Sequence, residues 1–162
     1  MSEGYETLDN ASLIRRWFEE VWNKGREEAI DEMFSEEGVA HGLADVADGK
    51  LRGPAGFKPF FRSFREAFPE MEVTVEDTVS EGDKVAARCV VRGRHGGDTL
   101  GFAATDRSVD FTGIAIVRIA DGKIVEAWNN FDFMSMFQQL GALRMDAAPS
   151  GLEQDEALPS LD

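Results

Sequence analysis

The order of amphipathic patterns along the chain predicts an α+β fold with one strongly curved antiparallel sheet. Up to Phe68, apolar residues recur at helical spacing, whereas from Met71 onward they alternate with polar residues at a period of two. Helices followed by consecutive strands are typical of an antiparallel sheet packed against helices. Such a sheet leaves a cavity where it curls around the helices, so we expect an internal binding site.

Three helices are predicted before the first strand. The first runs from about Ser12 to Lys24, with Gly25 as its stop. A second, short helix follows, and its apolar face consists of Ala29, Ile30, Met33 and Phe34. The third has five phenylalanines on one face and contains Pro59, so it either starts near Lys58 or kinks at the proline.

Four strands and a last helix complete the predicted domain. The strands are expected at 71–79, 84–95, 108–119 and 124–131, and the helix follows at 133–140. The last two strands are joined by an Asp-Gly turn, which is typical of a hairpin. Residues 35–53 are rich in Gly, Asp and Glu and are predicted to be a loop.

Composition excludes several classes of function. The net charge of −14 disfavours nucleic acid and anionic membrane surfaces as partners. The single cysteine, Cys89, excludes an internal disulfide and a cysteine-rich metal site. The sequence shows neither a secretory signal pattern nor an apolar run long enough to span a membrane, so a cytoplasmic protein is expected.

The apolar periodicity divides the chain into three parts. Residues 11–145 are predicted to form one domain, and residues 1–10 an N-terminal arm. Residues 146–162 have five acidic residues and no basic one, so they are predicted to be a disordered acidic tail.

Asp132 is the first candidate for chemistry. It lies between Phe131 and Phe133, four residues after Trp128, and an ionised carboxylate is rarely placed among apolar side chains without a partner. Because Asp132 precedes the last helix, one interpretation is a helix N-cap. The other is a catalytic acid/base in an apolar pocket, and one residue can serve in both roles.

The register of the final hairpin decides what faces Asp132. A hairpin loop of three residues places Asp110 opposite it, whereas a loop of two residues places Phe111 there. Asn129 and Asn130 lie on the same strand, and alternation turns one of them toward the cavity.

Several stretches resemble the SnoaL-like polyketide cyclases, which belong to the superfamily named after nuclear transport factor two. The stretches follow the family's order and spacing at residues 18–25, 33–42, 52–73, 81–97 and 111–143. The resemblance implies a single cone-shaped barrel with a sheet wrapped around three or four helices. It also implies an aldol ring closure without a cofactor, in which Asp132 removes a proton α to a carbonyl and later returns it to the new alkoxide.

The resemblance also implies further site residues. It makes His95 a second catalytic residue and places His41 near the cavity mouth, although each histidine is equally interpretable as an exposed turn residue. The residues expected to bind substrate are His41, Arg88, Trp17, Trp22, Phe61, Phe64, Asp110, Trp128 and Asn130. The expected substrate is a hydrophobic carbonyl compound, and no metal or cofactor is expected.

Two other functions fit the same sequence. Hydrolysis, hydration or isomerisation would use Asp132 together with a bound water, and a non-catalytic protein would bind a small ligand in the same cavity. A homodimer is also expected, because the outer face of a curved sheet still carries apolar residues. Depending on register, that face presents either Ile114 and Ile116 or Ala115 and Val117.

Overall fold

The described residues form five helical segments and one six-stranded sheet. A computed structural model describes residues 9–43 and 48–143. The helices are α1 Asn10–Trp17, a π-helix Phe18–Asn23, α2 Glu28–Met33, α3 Gly53–Ala67 and α4 Phe133–Gln139. The strands are β1 Phe34–His41, β2 Lys50–Arg52, β3 Glu72–Glu81, β4 Lys84–Arg94, β5 Ser108–Ala120 and β6 Lys123–Phe131. The predicted acidic tail lies outside the described residues.

The sheet confirms the predicted α+β class. Its strand order is β2-β1-β6-β5-β4-β3, with β2 and β3 at the two edges, so the curved sheet stays open and does not close into a strict barrel. Every neighbouring pair is antiparallel except β1 and β6, which run parallel. No helix among the described residues is long and apolar enough to cross a membrane.

Two boundaries in the first half of the chain differ from the predictions. Residues 35–53 are not one loop, because they contain most of β1 and all of β2. After Phe34, the buried positions of β1 are the small residues Gly38 and Ala40, so the strand lacks an apolar period in the sequence. Helix α3 begins at Gly53 and continues through Pro59, so a start near Lys58 is wrong.

The first predicted helix is one continuous amphipathic segment with two geometries. Helix α1 passes into the π-helix at Phe18, and the wider π turns keep Val21 and Trp22 buried. Asn23 then bonds edge strand β3: its Nδ2 donates to the carbonyl of Val73 at 2.9 Å, and its Oδ1 accepts from the Val73 N–H at 2.6 Å. This pair fixes the helices against the sheet edge and covers part of an open strand.

A β-bulge in β6 determines which side chains point inward. Ile119 pairs with Ile124, but Arg118 pairs with Glu126, so Val125 is an extra residue on β6. Before the bulge Ile124 is inward, and after it the inward residues are Ala127, Asn129 and Phe131. An unbroken strand with Ile124 inward would instead have turned residues 126, 128 and 130 toward the helices.

The bulge also overturns both hairpin registers considered from the sequence. Of the two loop lengths considered, the structure has the two-residue loop Asp121–Gly122, since Ala120 pairs with Lys123. Both turn residues have positive φ. Beyond the bulge the register shifts by one, and the N–H of Asp132 donates to the carbonyl of Thr112 at 2.9 Å. Neither Asp110 nor Phe111 therefore lies opposite Asp132.

Candidate active site

An apolar cavity lies between the inner face of the sheet and the helices. The volume open to the centres of water molecules is about 60 Å³, several times the roughly 10–15 Å³ that one water needs. Aromatic side chains form much of its wall: Trp17, Phe18, Trp22, Phe57, Phe60, Phe64, Phe111, Phe131 and Phe133. A cavity with this lining favours a flat, largely apolar ligand.

The helical side of the cavity is a network of ring contacts. Trp22 packs against Phe57, Phe61 and Phe64 with ring centroids 6.1, 5.4 and 5.9 Å away. Trp17, Trp22 and Phe64, which we expected to bind substrate, are on the cavity wall, whereas Phe61 is buried beside Trp22 and does not line it. Edge-to-face packing of this kind holds the rings in defined positions, so the wall is largely preformed.

Asn129 provides the single amide on this wall. Apart from the two indole groups, the other described lining residues have no hydrogen-bonding side chain with an N–H or O–H group. The Asn129 Nδ2 donates to the carbonyl of His41 at 3.0 Å, which ties β6 to the end of β1. The sequence left open whether Asn129 or Asn130 faced inward, and only the bulge selects Asn129.

Asp132 is exposed and is not itself a lining residue of the cavity. Its two chain neighbours, Phe131 and Phe133, both line the wall, and Phe133 packs between Phe64 of α3 and Phe111 of β5. Asp132 is also the N-cap of α4: its Oδ1 accepts a hydrogen bond from the Ser135 N–H at 3.0 Å. Among the described residues, the Ser135 N–H is the single donor to this carboxylate, so Oδ2 has no protein donor.

Trp128 and Asn130, which we expected in the cavity, lie on the outer face of the sheet. Trp128 pairs with Ile116 and Asn130 pairs with Ile114, and both of those isoleucines are exposed. The physical reason is the extra residue Val125, which reverses the alternation along the rest of β6. Their positions correct our assignment of both residues to the pocket.

His41 is also on the outer face rather than at the cavity mouth. Its ring stacks on Trp128 at 5.8 Å with an interplanar angle of 13°. Its Nε2 lies 2.8 Å from Oε2 of Glu126, and this hydrogen bond holds the pKa of Glu126 below its ordinary value. Arg118 pairs with the same carboxylate across β5 and β6 at 3.6 Å.

Arg88 and Asp110 complete the corrections to the pocket. Arg88 is exposed and forms an ion pair with Asp77 at 3.1 Å. Asp110 is exposed and pairs with Arg92 across β4 and β5 at 3.0 Å. Side chains alternate between the two faces of a strand, and the neighbours Cys89 and Phe111 point inward. Arg88 and Asp110 therefore point outward, and neither side chain enters the cavity.

His95 is fully buried, yet it is not part of the cavity wall. Its Nδ1 accepts a hydrogen bond from the Thr105 N–H and lies within reach of the Thr105 hydroxyl, both at 3.0 Å. Phe68 and Phe102 pack around its ring at 5.6 and 5.1 Å. Its Nε2 is buried without a partner among the described residues. In this position His95 anchors the connection between β4 and β5, so it is neither an exposed turn residue nor a residue at the cavity mouth.

The described residues contain no cluster of three or more His, Cys, Asp or Glu side chains that could hold a metal ion. The described residues of the site provide an aromatic cavity, one amide on its wall and one exposed carboxylate between two lining residues. This combination suits proton transfer on an apolar ligand.

Comparison with known proteins identifies the family. Residues 12–140 match the family described as SnoaL-like polyketide cyclase. The chain belongs to the SnoaL-like polyketide cyclase family. Among its relatives, aklanonic acid methyl ester cyclase DauD from Streptomyces sp. strain C5 is 32% identical over 131 residues, covering 80% of each chain. Nogalonic acid methyl ester cyclase from Streptomyces nogalater is 31% identical over 122 residues, covering 75% of this chain and 90% of that protein.

Solved structures of similar chains agree with the fold. IdmH from Streptomyces antibioticus has a TM-score of 0.69 at 34% identity, covering 80% of this chain and 96% of its own. TsrD from Streptomyces laurentii has a TM-score of 0.70 at 29% identity, covering 81% and 93%. The SnoaL-like assignment from the sequence is thus confirmed, and the protein is an enzyme of the cyclase type.

Proposed function

We propose that this protein closes a ring in a polyketide by an intramolecular aldol addition, with Asp132 as the acid/base. The observation that supports this most directly is the position of Asp132 in the chain between two residues of the cavity wall, with no donor to Oδ2 among the described residues. A hydrophobic substrate would place its rings in the cavity and its reacting carbons next to the carboxylate.

The proposed reaction needs only proton transfer. Oδ2 of Asp132 removes a proton from a carbon α to a carbonyl, and the resulting enolate carbon forms a bond to a second carbonyl carbon of the same molecule. The second carbonyl becomes an alkoxide, which takes the proton back from Asp132. Product and substrate are isomers, so no cofactor or co-reactant is required.

The geometry supports this division of roles. The Ser135 N–H engages Oδ1 and fixes the direction of the carboxylate, which leaves Oδ2 as the proton-transfer atom. Phe131 and Phe133 on either side keep the substrate's reacting carbons near an apolar surface and restrict access of water. The preformed aromatic wall would hold the chain of the substrate in a folded conformation, which favours ring closure within one molecule.

The direct test is turnover by Asp132→Asn. Suitable test substrates are aklanonic acid methyl ester and nogalonic acid methyl ester, the compounds that appear in the names of the two relatives. We expect an isomeric product of unchanged mass from the wild type, and a loss of about 10²–10⁴-fold in kcat for the variant. The melting temperature should stay close to that of the wild type, because Asn caps a helix about as well as Asp.

Asp121→Asn is the matched control. It makes the same chemical change at the tip of the β5–β6 turn, where Asn-Gly suits the turn and the side chain is exposed. Near-normal turnover in a folded Asp132→Asn variant would remove Asp132 from the mechanism. A product that has gained or lost water would instead assign hydrolysis, hydration or dehydration to the site, and tight binding without turnover of either ester would indicate a binding protein.

A further inference from the structure

Asn129 places a polar amide on an otherwise apolar part of the cavity wall. Its neighbours on the inner face of the sheet are Ala127, Phe131, Ala115 and Val117, all of them apolar. An amide on such a surface is unfavourable unless its hydrogen-bonding groups have partners, whereas a Leu or Val there would bury apolar surface without that requirement. The choice of residue therefore calls for a partner on the cavity side.

One half of the amide already has a protein partner. The Nδ2 donates to the carbonyl of His41, and this acceptor fixes which way round the amide group is placed. The other polar atom, Oδ1, is an acceptor with two lone pairs. The described part of the chain supplies no donor to Oδ1, so the oxygen is left for a group inside the cavity.

The size of the cavity makes this acceptor selective. A few waters fit in the volume of about 60 Å³ and can donate to Oδ1 when no ligand is bound. A ligand that fills the cavity displaces those waters. If the ligand has no donor at that point, Oδ1 loses its hydrogen bond and affinity falls; if it has a hydroxyl there, the hydrogen bond is replaced.

We propose that Asn129 determines substrate specificity by accepting a hydrogen bond from a phenolic or enolic hydroxyl of the bound ligand. This inference rests on the proposed function, because it assumes that the cavity is the substrate site. Asn129 is on β6, three residues before Asp132 in the chain, so we place the recognised hydroxyl about 10 Å from the reacting carbon, toward the other end of the ligand. The substrate class is therefore an aromatic polyketide with a hydroxyl remote from the ring being closed.

The experiment compares two ligands that differ by one hydroxyl. Naphthalene and 1-naphthol are titrated into the full-length protein, and binding is followed by the fluorescence of the tryptophans, two of which line the cavity. The measured quantity is the ratio of the two dissociation constants. In Asn129→Leu, which removes the acceptor at similar side-chain size, we expect the relative preference for 1-naphthol to fall by about tenfold.

The control is Thr112→Val, which removes a polar group from an exposed position on the outer face of β5. The ratio should not change in this variant. If Asn129 had a purely structural role, its replacement would weaken the binding of both ligands alike and leave the ratio of the two dissociation constants unchanged. That result in a folded Asn129→Leu protein overturns the inference. If Asn129→Leu does not fold, Asn129→Ala makes the same comparison without adding volume.

Failure of this inference can be told apart from failure of the proposed function. If neither compound binds the wild type, the cavity does not accept an aromatic ring and the role of Asn129 is rejected. Turnover of the polyketide esters by the wild type, and its loss in Asp132→Asn, would still stand as an independent result. Conversely, a hydroxyl preference that depends on Asn129 in a protein without turnover would identify a selective binding site.

Discussion

Phe131 lies directly opposite Gly113 on the neighbouring strand, and its ring occupies the space that any side chain at position 113 would need. The glycine therefore allows a large aromatic residue to lie flat on the inner face of the sheet, next to Asp132. Gly113→Ala should push the ring of Phe131 into the cavity. We expect a loss of about 1–3 kcal/mol in the free energy of unfolding, together with weaker ligand binding.

Urea denaturation and naphthalene titration of the same variant would check both effects. Gly56→Ala is the matched control, since position 56 is inside helix α3 with no close neighbour. That change should stabilise the protein by about 0.5–1 kcal/mol. A Gly113→Ala protein with wild-type stability and binding would show that the sheet adjusts to the added methyl group.

His95 is predicted to be a structural anchor of the β4–β5 connection. His95→Phe retains an aromatic ring but removes the acceptor of the Thr105 N–H, leaving that donor buried. The expected cost is about 1–3 kcal/mol in the free energy of unfolding, measured as a lower urea midpoint at constant slope. Thr105→Val retains the backbone hydrogen bond and should cost less. Unchanged stability together with a large drop in kcat would instead give His95 a direct part in catalysis.

Cys89 should be unreactive in the folded protein. It is fully buried, and burial raises the pKa of its thiol from 9.0 to about 12. Because the thiolate is the reactive form, iodoacetamide at pH 8 should modify the protein only after denaturation. Rapid alkylation under native conditions would mean that β4 opens readily.

The same thiol gives a pH dependence of stability. Between pH 9 and about 12 the unfolded chain loses the thiol proton while the folded chain keeps it. The unfolded state then binds fewer protons, so stability falls as the pH rises through this window. Comparing the wild type with Cys89→Ala separates this contribution from those of the other groups that titrate in the same pH range. The difference in the free energy of unfolding between the two proteins should become smaller above pH 9.

We predict a homodimer formed through the outer face of the sheet. Val79, Ala86, Ile116 and Trp128 form one cross-strand row on that face, and Val79 and Ile116 are 71% and 41% exposed. An exposed apolar row of this kind is typical of an interface, and dimers are the commonest oligomers. Light scattering at micromolar concentration should give twice the chain mass of 17.9 kDa.

Ile116→Lys should shift the dimer toward monomer, because it places a charge in the middle of the row. Met134→Lys changes an equally exposed apolar residue on α4, away from the sheet, and should leave the mass unchanged. A wild-type protein that scatters as a single species of 17.9 kDa would argue against the interface.

Local patterns in the sequence were sufficient for most of the elements. The helical faces, the strands after Met71 and the Asp121–Gly122 turn each depend on residues close together in the chain. The structure places them as predicted, except that Phe34 begins β1 instead of ending the second helix. The N-cap role of Asp132 is equally local, since an Asp just before an apolar helical pattern bonds the N–H three residues on. The family could also be recognised, because its stretches occur in order along the chain.

The face of each strand residue at the site was decided only by the tertiary structure. Val125 becomes an extra residue because β6 pairs with β5 on one side and, in parallel, with β1 on the other, and both pairings shift register near this point. Strand β1 itself had no apolar period from which to predict it. Alternation along the sequence predicts which residues face inward only while the strand has no bulge. After one extra residue, the residues expected to face inward face outward instead. For that reason the sequence by itself determined that Asp132 follows β6, whereas the long-range pairing of β6 turned Asn129 into the cavity and Trp128 out of it.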